Sequence, residues 1–119
     1  MFTSISVNYT IPVKRIEHSR KWYEEVLGFK QTNAEEQLGW VELSSDELGV
    51  TIGLAEVLDV RRGGPLLVIQ VADIEAAKIN LESSKVAVSE ISHVENVARV
   101  ATFSDPDEHP WMLRQNLQS

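Results

Sequence analysis

Ile5, Val7, Tyr9, Ile11 and Val13 alternate with Ser6, Asn8 and Thr10. A period of two puts apolar side chains on one face and polar ones on the other, and so predicts a strand. Pro12 falls at its end, where a missing N–H is tolerated. The period then lengthens. Ile16, Ser19, Trp22 or Tyr23, and Val26 with Leu27 recur at helical spacing. Gly28 follows where a helix C-cap needs a left-handed residue. Phe29 begins a short extended stretch, Asn33-Ala34-Glu35-Glu36 reads as a turn, Trp40 to Leu43 alternates again, Ser44 to Glu47 reads as a loop, and Val50, Ile52 and Leu54 mark another strand.

Arg61-Arg62-Gly63-Gly64-Pro65 breaks any regular element. The pattern then restarts. Leu66 to Val71 reads as an apolar strand. Asp73 is placed to N-cap a helix carrying Ile74, Ala77 and Leu81. Val86 to Val88 reads as a short extended piece and Val97 to Phe103 as a longer strand. Asp105-Pro106-Asp107-Glu108 reads as a turn, and Trp111 to Leu113 as the closing strand. The order strand, helix, three strands therefore occurs twice. The expectation is a single α+β domain: a first module over about 1–60, a linker over about 61–65 and a second module over about 66–117.

Composition narrows the function classes. Eleven Lys and Arg against 18 Asp and Glu leave a formal charge of −7. No basic run exceeds two residues, which argues against a nucleic-acid partner and against docking on an anionic membrane. No apolar stretch approaches the ~20 residues of a membrane span. The first residues show no basic segment leading into an apolar one, so no signal peptide is read, and a cytoplasmic location is expected. The absence of cysteine excludes disulfides, thiolate catalysis and cysteine-based metal sites. No nucleophile elbow, P-loop or dinucleotide fingerprint is present.

Three segments resemble a known family. Ser19-Arg20-Lys21-Trp22-Tyr23-Glu24-Glu25-Val26-Leu27-Gly28-Phe29 is similar to the first-helix signature of the vicinal oxygen chelate superfamily of glyoxalases, bleomycin-resistance proteins and extradiol dioxygenases. Val71 to Ala77 resembles the start of its second helix. Val100 to Asp107, followed by Trp111-Met112-Leu113-Arg114-Gln115, resembles its C-terminal hairpin. The resemblance implies two βαβββ modules forming a curved, cup-like mixed sheet with helices outside, and a homodimer. It also implies a glycine where this chain has Glu108. The hairpin must then avoid a left-handed residue there, or Glu108 must be strained.

In metal-dependent relatives the resemblance implies four cavity-facing ligands, which fall here on Asn8, Gly53, Leu66 and Met112. Two of these have no donor atom and a third is a thioether, so no metal cofactor is expected. His18, His93 and His109 fall on a helix, a loop and a turn, and are expected on the solvated surface. The implied cup would instead be lined by Asn8, Trp40, Glu42, Gly53, Leu66, Val68, Gln70, Met112 and Arg114, a mixed apolar and polar set suited to a small organic molecule. Trp40 suits an aromatic or cationic ligand, and the acidic charge a cationic one. Trp22, Tyr23 and Trp111 are expected in the core. Two alternatives stand beside metal-independent binding. One is a lyase, isomerase or dioxygenase that recruits Glu42, Glu56 or a histidine to an unusual metal site. The other is a structural or regulatory dimer module whose cavity is filled by its own side chains.

Overall fold

A computed structural model describes residues 9–60 and 66–117. The chain divides into two compact units, Met1–Arg61 and Arg62–Ser119. In the first, β1 (Tyr9–Val13) leads into α1 (Ile16–Leu27), then β2 (Lys30–Glu35), β3 (Trp40–Ser45) and β4 (Val50–Glu56). In the second, β5 (Leu67–Gln70) leads into α2 (Ile74–Ser83), then β6 (Ser92–Val94), β7 (Ala98–Ser104) and β8 (Pro110–Asn116). The sheet orders are β1-β4-β3-β2 and β5-β8-β7-β6. In each sheet the first and last strands of the unit pair in parallel and the remaining pairs are antiparallel. Each unit is therefore a βαβββ module with a mixed four-stranded sheet, and the fold class is α+β.

Alternation decides which face of each sheet is sealed. In the first unit Ile11, Val13, Val41, Leu43, Ile52 and Leu54 are buried, and α1 packs on β2, β3 and β4. The helix contributes Ser19 and Tyr23 to this core. Tyr23 meets Trp22 and Phe29 edge-on, at centroid distances of 4.9 and 5.9 Å. The helix stops at Gly28, whose φ of 75° lets its N–H reach the Glu24 carbonyl while Phe29 N–H reaches that of Tyr23. In the second unit Phe103, Trp111 and Leu113 are buried together with Ile74 and Leu81 of α2, which packs on β7 and β8. Asp73 caps α2 as expected, its Oδ1 accepting from Ala76 N–H at 3.0 Å. Gln115 of β8 reaches over to accept from Ile74 N–H at 2.8 Å.

The structure corrects several expectations. Asn33, Ala34 and Glu35 belong to β2, and the chain turns only at Glu36–Leu38. The extended stretch expected from Phe29 thus runs on past the expected turn, whose onset no apolar alternation marks because five of the six strand residues are exposed at the sheet edge. Ser44 and Ser45 continue β3. Ser45 is a polar residue on the buried face, where its hydroxyl accepts from Leu48 N–H at 3.1 Å and so starts the turn. Val86 to Val88 form no strand. Val86 is buried where the chain leaves α2, and the edge strand comes later, at Ser92–Val94, again with every residue exposed. His93 therefore lies in a strand rather than a loop. The first strand is described only from Tyr9, and the linker 61–65 lies outside the described residues.

The hairpin between β7 and β8 answers the question raised by Glu108. Its φ is 65°, so it takes the left-handed conformation without being glycine. The buried Asp105 carboxylate organises this turn. Its Oδ1 accepts from Asp107 N–H at 2.9 Å and from His109 N–H at 2.8 Å. His109 is thereby drawn inward to 9% exposure, against the expectation of a solvated histidine. His18 and His93 are exposed as expected.

Candidate functional site

The sheet faces turned away from the helices carry the residues singled out from the sequence. In the first unit the register aligns Thr10, Gly53, Glu42 and Asn33 in one row across the sheet, with Pro12, Ala55, Trp40 and Glu35 in the next such row. Gly53 has no side chain, so the row dips between Thr10 and Glu42. Trp40 and Glu42 are both half-buried. Asn8 lies outside the described residues.

Glu42 is held by a row of hydroxyls. A register shift between Gln31 and Asn33 leaves Thr32 as an extra residue on β2, a device that re-aims a side chain. Its hydroxyl donates to Glu42 Oε1 at 2.8 Å. Ser44 Oγ lies 3.5 Å from Thr32 Oγ1 and 2.9 Å from Thr51 Oγ1. Each hydroxyl has one hydrogen, and Thr32 spends its own on the carboxylate. The row of hydroxyls thus ends on the Glu42 carboxylate, to which Thr32 donates. Glu42, the cross-strand partner of Gly53, keeps its second oxygen as an acceptor. At the turn end of this sheet a cavity of about 300 Å³ is lined by Gly28, Lys30, Thr32, Ser44, Ser45, Asp46 and Glu47.

The second unit differs in chemistry. Val68 stands opposite Met112, and Gln70 opposite Arg114, on the face away from α2. Leu66, just before β5, is 44% exposed and Val68 48%. These apolar residues and the half-buried Met112 form one end of the face. Gln70, Arg114 and Asn116 form the other. Arg114 Nε donates to Asn116 Oδ1 at 2.6 Å, and Asn116 Nδ2 donates to Gln70 Oε1 at 3.4 Å. A cavity of about 400 Å³ opens beside them, lined by Gln70, Val71, Ala72, Gln115, Asn116 and Leu117. Trp111 points to the opposite, buried face and stacks on Phe103 at 6.2 Å.

Sequence reading missed Thr32, Ser44 and Asn116. Asn116 was accessible by parity, since it shares a face with Met112 and Arg114. Ser44 was lost with the loop assignment. Thr32 depends on a bulge that no local pattern announces.

The positions carried over as metal ligands do not suit a divalent cation. Gly53 offers no side-chain donor, Leu66 a hydrocarbon and Met112 a soft thioether. Among the described residues no three His, Asp or Glu side chains converge as a metal site. Glu56 is exposed at the end of β4. Among the described residues no helix is long and apolar enough to cross a membrane.

Comparison with known proteins places this geometry. The family model described as "Glyoxalase/Bleomycin resistance protein/Dioxygenase superfamily" matches residues 6–113. Among solved structures, an integron cassette protein from the mobile metagenome of the Halifax Harbour sewage outfall is 25% identical, with a TM-score of 0.80 over 93% of this chain and 99% of that one. An antibiotic-binding protein from Streptomyces sp. CB03234 is 23% identical, with a TM-score of 0.77 over 98% of this chain and 100% of that one. A genomically encoded fosfomycin resistance protein from Listeria monocytogenes is 15% identical, with a TM-score of 0.78 over 98% and 96% of the two chains. No curated protein matches the sequence significantly.

Proposed function

Since the chain belongs to the glyoxalase/bleomycin resistance protein/dioxygenase superfamily, we propose that it is a small-molecule-binding protein that holds an organic ligand without a metal. One observation carries the reading. The faces turned from the helices combine accessible apolar side chains with polar groups already fixed by hydrogen bonds, while the positions expected to hold a metal carry Gly53, Leu66 and Met112. Such a mixture binds an organic molecule through apolar area and orients it through a few polar contacts. On the first unit Trp40 supplies a flat apolar surface and Glu42 an acceptor whose position is fixed by Thr32. The group landing there is aromatic or cationic. The likeness to an antibiotic-binding protein supports the same direction. The working form is a homodimer, as the family resemblance implies. A monomeric mass by sedimentation at working concentration would remove that part.

The test is a tryptophan-fluorescence titration in chelator with cationic antibiotics and aromatic metabolites. A saturable response is expected, abolished for Trp40→Ala and weakened about tenfold for Glu42→Gln with cationic ligands, in line with the loss of one charge-assisted contact. Chelator-treated protein should show the same melting temperature with and without Ni, Mn, Zn, Fe(II), Co or Mg, because only native-state binding raises it. A metal-selective rise, or no saturable response across the panel, would overturn the reading.

A further inference from the structure

We infer that the second unit carries an anchor for an oxyanion, so that the group bound there is a carboxylate, phosphate or phosphonate. Arg114, Asn116 and Gln70 form one hydrogen-bonded chain on the face away from α2. Within it, Asn116 Oδ1 is occupied by Arg114 Nε, and Gln70 Oε1 by Asn116 Nδ2. Both amide oxygens are thus used internally. Arg114 Nη1, Arg114 Nη2 and Gln70 Nε2 are left as donors without a partner among the described residues. A guanidinium fixed through its Nε keeps its two terminal nitrogens for a planar or tetrahedral anion, and it binds such groups in pairs of parallel hydrogen bonds.

Position supports the same reading. Arg114 sits on β8 between Gln70 of β5 and Val100 of β7. Among the described residues no carboxylate pairs with it; the ion pair that reaches this sheet, Glu75 with Arg99 at 2.6 Å, is made by a different arginine. Gln70 and Asn116 also line the cavity of about 400 Å³, which leaves room beside the donors. Leu66, Val68 and Met112 continue the face as an apolar surface for the rest of the molecule. The inference rests on the proposed function in one respect, that a ligand lands on the face away from the helix. It concerns the second unit alone.

The experiment is a titration of the full chain followed by the side-chain N–H resonances of Gln70, Asn116 and Arg114. The probes are acetate and inorganic phosphate, then benzoate and phenylphosphonate against neutral benzamide, at constant ionic strength set with chloride. Saturable shifts at these three side chains are expected with the anions. Benzoate or phenylphosphonate should bind at least tenfold more tightly than benzamide, and the tighter of the two names the group. Arg114→Met, which keeps the aliphatic stem, should lose at least tenfold. Arg114→Lys, which keeps the charge but not the fork, should recover only part of that loss. Backbone amide spectra of each variant report folding separately. Equal binding of benzamide and the anions, or unchanged anion affinity in Arg114→Met, would overturn the anchor while leaving organic-ligand binding intact. Phosphate and acetate shifts with no aromatic binding would sustain the anchor and remove the organic-ligand reading.

Discussion

The two units share one order of elements yet seal their cores from opposite sides. In the first, the bulk comes from the helix and the residue after it: Tyr23 and Phe29 are buried against Ile, Leu and Val side chains of the sheet. In the second, the sheet supplies the aromatics, Phe103 and Trp111, and α2 supplies the aliphatic Ile74 and Leu81. A βαβββ frame therefore fixes how much volume lies between helix and sheet, not which layer provides it. The faces away from the helices diverge as well. The first unit ends its hydrogen-bonded row in an acceptor at Glu42, and the second ends its row in donors at Arg114 and Gln70.

The largest effects should come from exchanging the two ways of filling the core. Tyr23→Ala and Trp111→Ala each remove a nearly or fully buried aromatic, and each should cost about 3–5 kcal/mol. Denaturant midpoints measure this. If one unit tolerated its loss at under a third of the cost in the other, the aromatic layer would not be equivalent in the two.

Next come the hairpins between the last two strands of each unit. Both hang on a buried side-chain oxygen, Ser45 Oγ in the first and Asp105 Oδ1 in the second. Asp105 satisfies two backbone N–H groups and Ser45 one. Asp105→Ala should therefore cost about 2–3 kcal/mol and Ser45→Ala about 1 kcal/mol, since each lost partner leaves a donor to be satisfied otherwise. Thermal unfolding of the two variants ranks them, and a larger loss for Ser45→Ala would contradict the count.

Much of this comparison was readable before the structure. The parity of β1, β3, β4 and β8 put Trp40, Glu42, Gly53, Met112 and Arg114 on their faces, because strands with one sealed side alternate cleanly. Gly28 and Asp73 marked helix ends because their side chains, or the lack of one, act locally. The extent of edge strand β2 and the position of edge strand β6 were misread for the converse reason. Nothing in Lys30–Glu35 or Ser92–Val94 is buried enough to leave a pattern, and pairing with a distant strand makes them strands. The burial of His109 was hidden because it depends on Asp105 gathering two amides across a turn. Thr32 beside Glu42 required a bulge, which is a property of the pair of strands and not of either one alone.

The left-handed residue in each hairpin gives a smaller and opposite-signed pair of effects. The first uses Gly49 at φ 68° and the second Glu108 at φ 65°. A Cβ built at Gly49 meets nothing within 4 Å, so backbone conformation alone sets its cost. Gly49→Ala should lose about 1 kcal/mol, and Glu108→Gly should gain about 0.5–1 kcal/mol, because only glycine occupies this region freely. The gain is reduced by glycine's greater freedom in the unfolded chain. Melting temperatures that fall for both would mean that Glu108 is held by contacts outweighing its strain.

The helices provide the smallest contrast. Arg20 of α1 pairs within its own helix, with Glu17 at 2.7 Å and Glu24 at 2.8 Å. In the second unit Glu75 of α2 reaches instead to Arg99 on β7, whose Nε is buried and meets no acceptor among the described residues. The hydrogen bond from Arg20 is the main cause that lowers the Glu17 pKa below its ordinary 4.5. A carboxyl whose folded pKa is depressed stabilises the fold above the unfolded value. That contribution disappears as pH falls through the folded pKa. The melting-temperature gap between the parent and Glu17→Gln should therefore be present at neutral pH and close as pH falls below 4.5 and through the lowered Glu17 pKa, remaining small throughout because the pair is exposed and screened. Glu75→Gln should show the larger gap at neutral pH, since it deprives a partly buried guanidinium of its carboxylate. Equal gaps for the two variants would mean that linking helix to sheet adds nothing to linking a helix to itself.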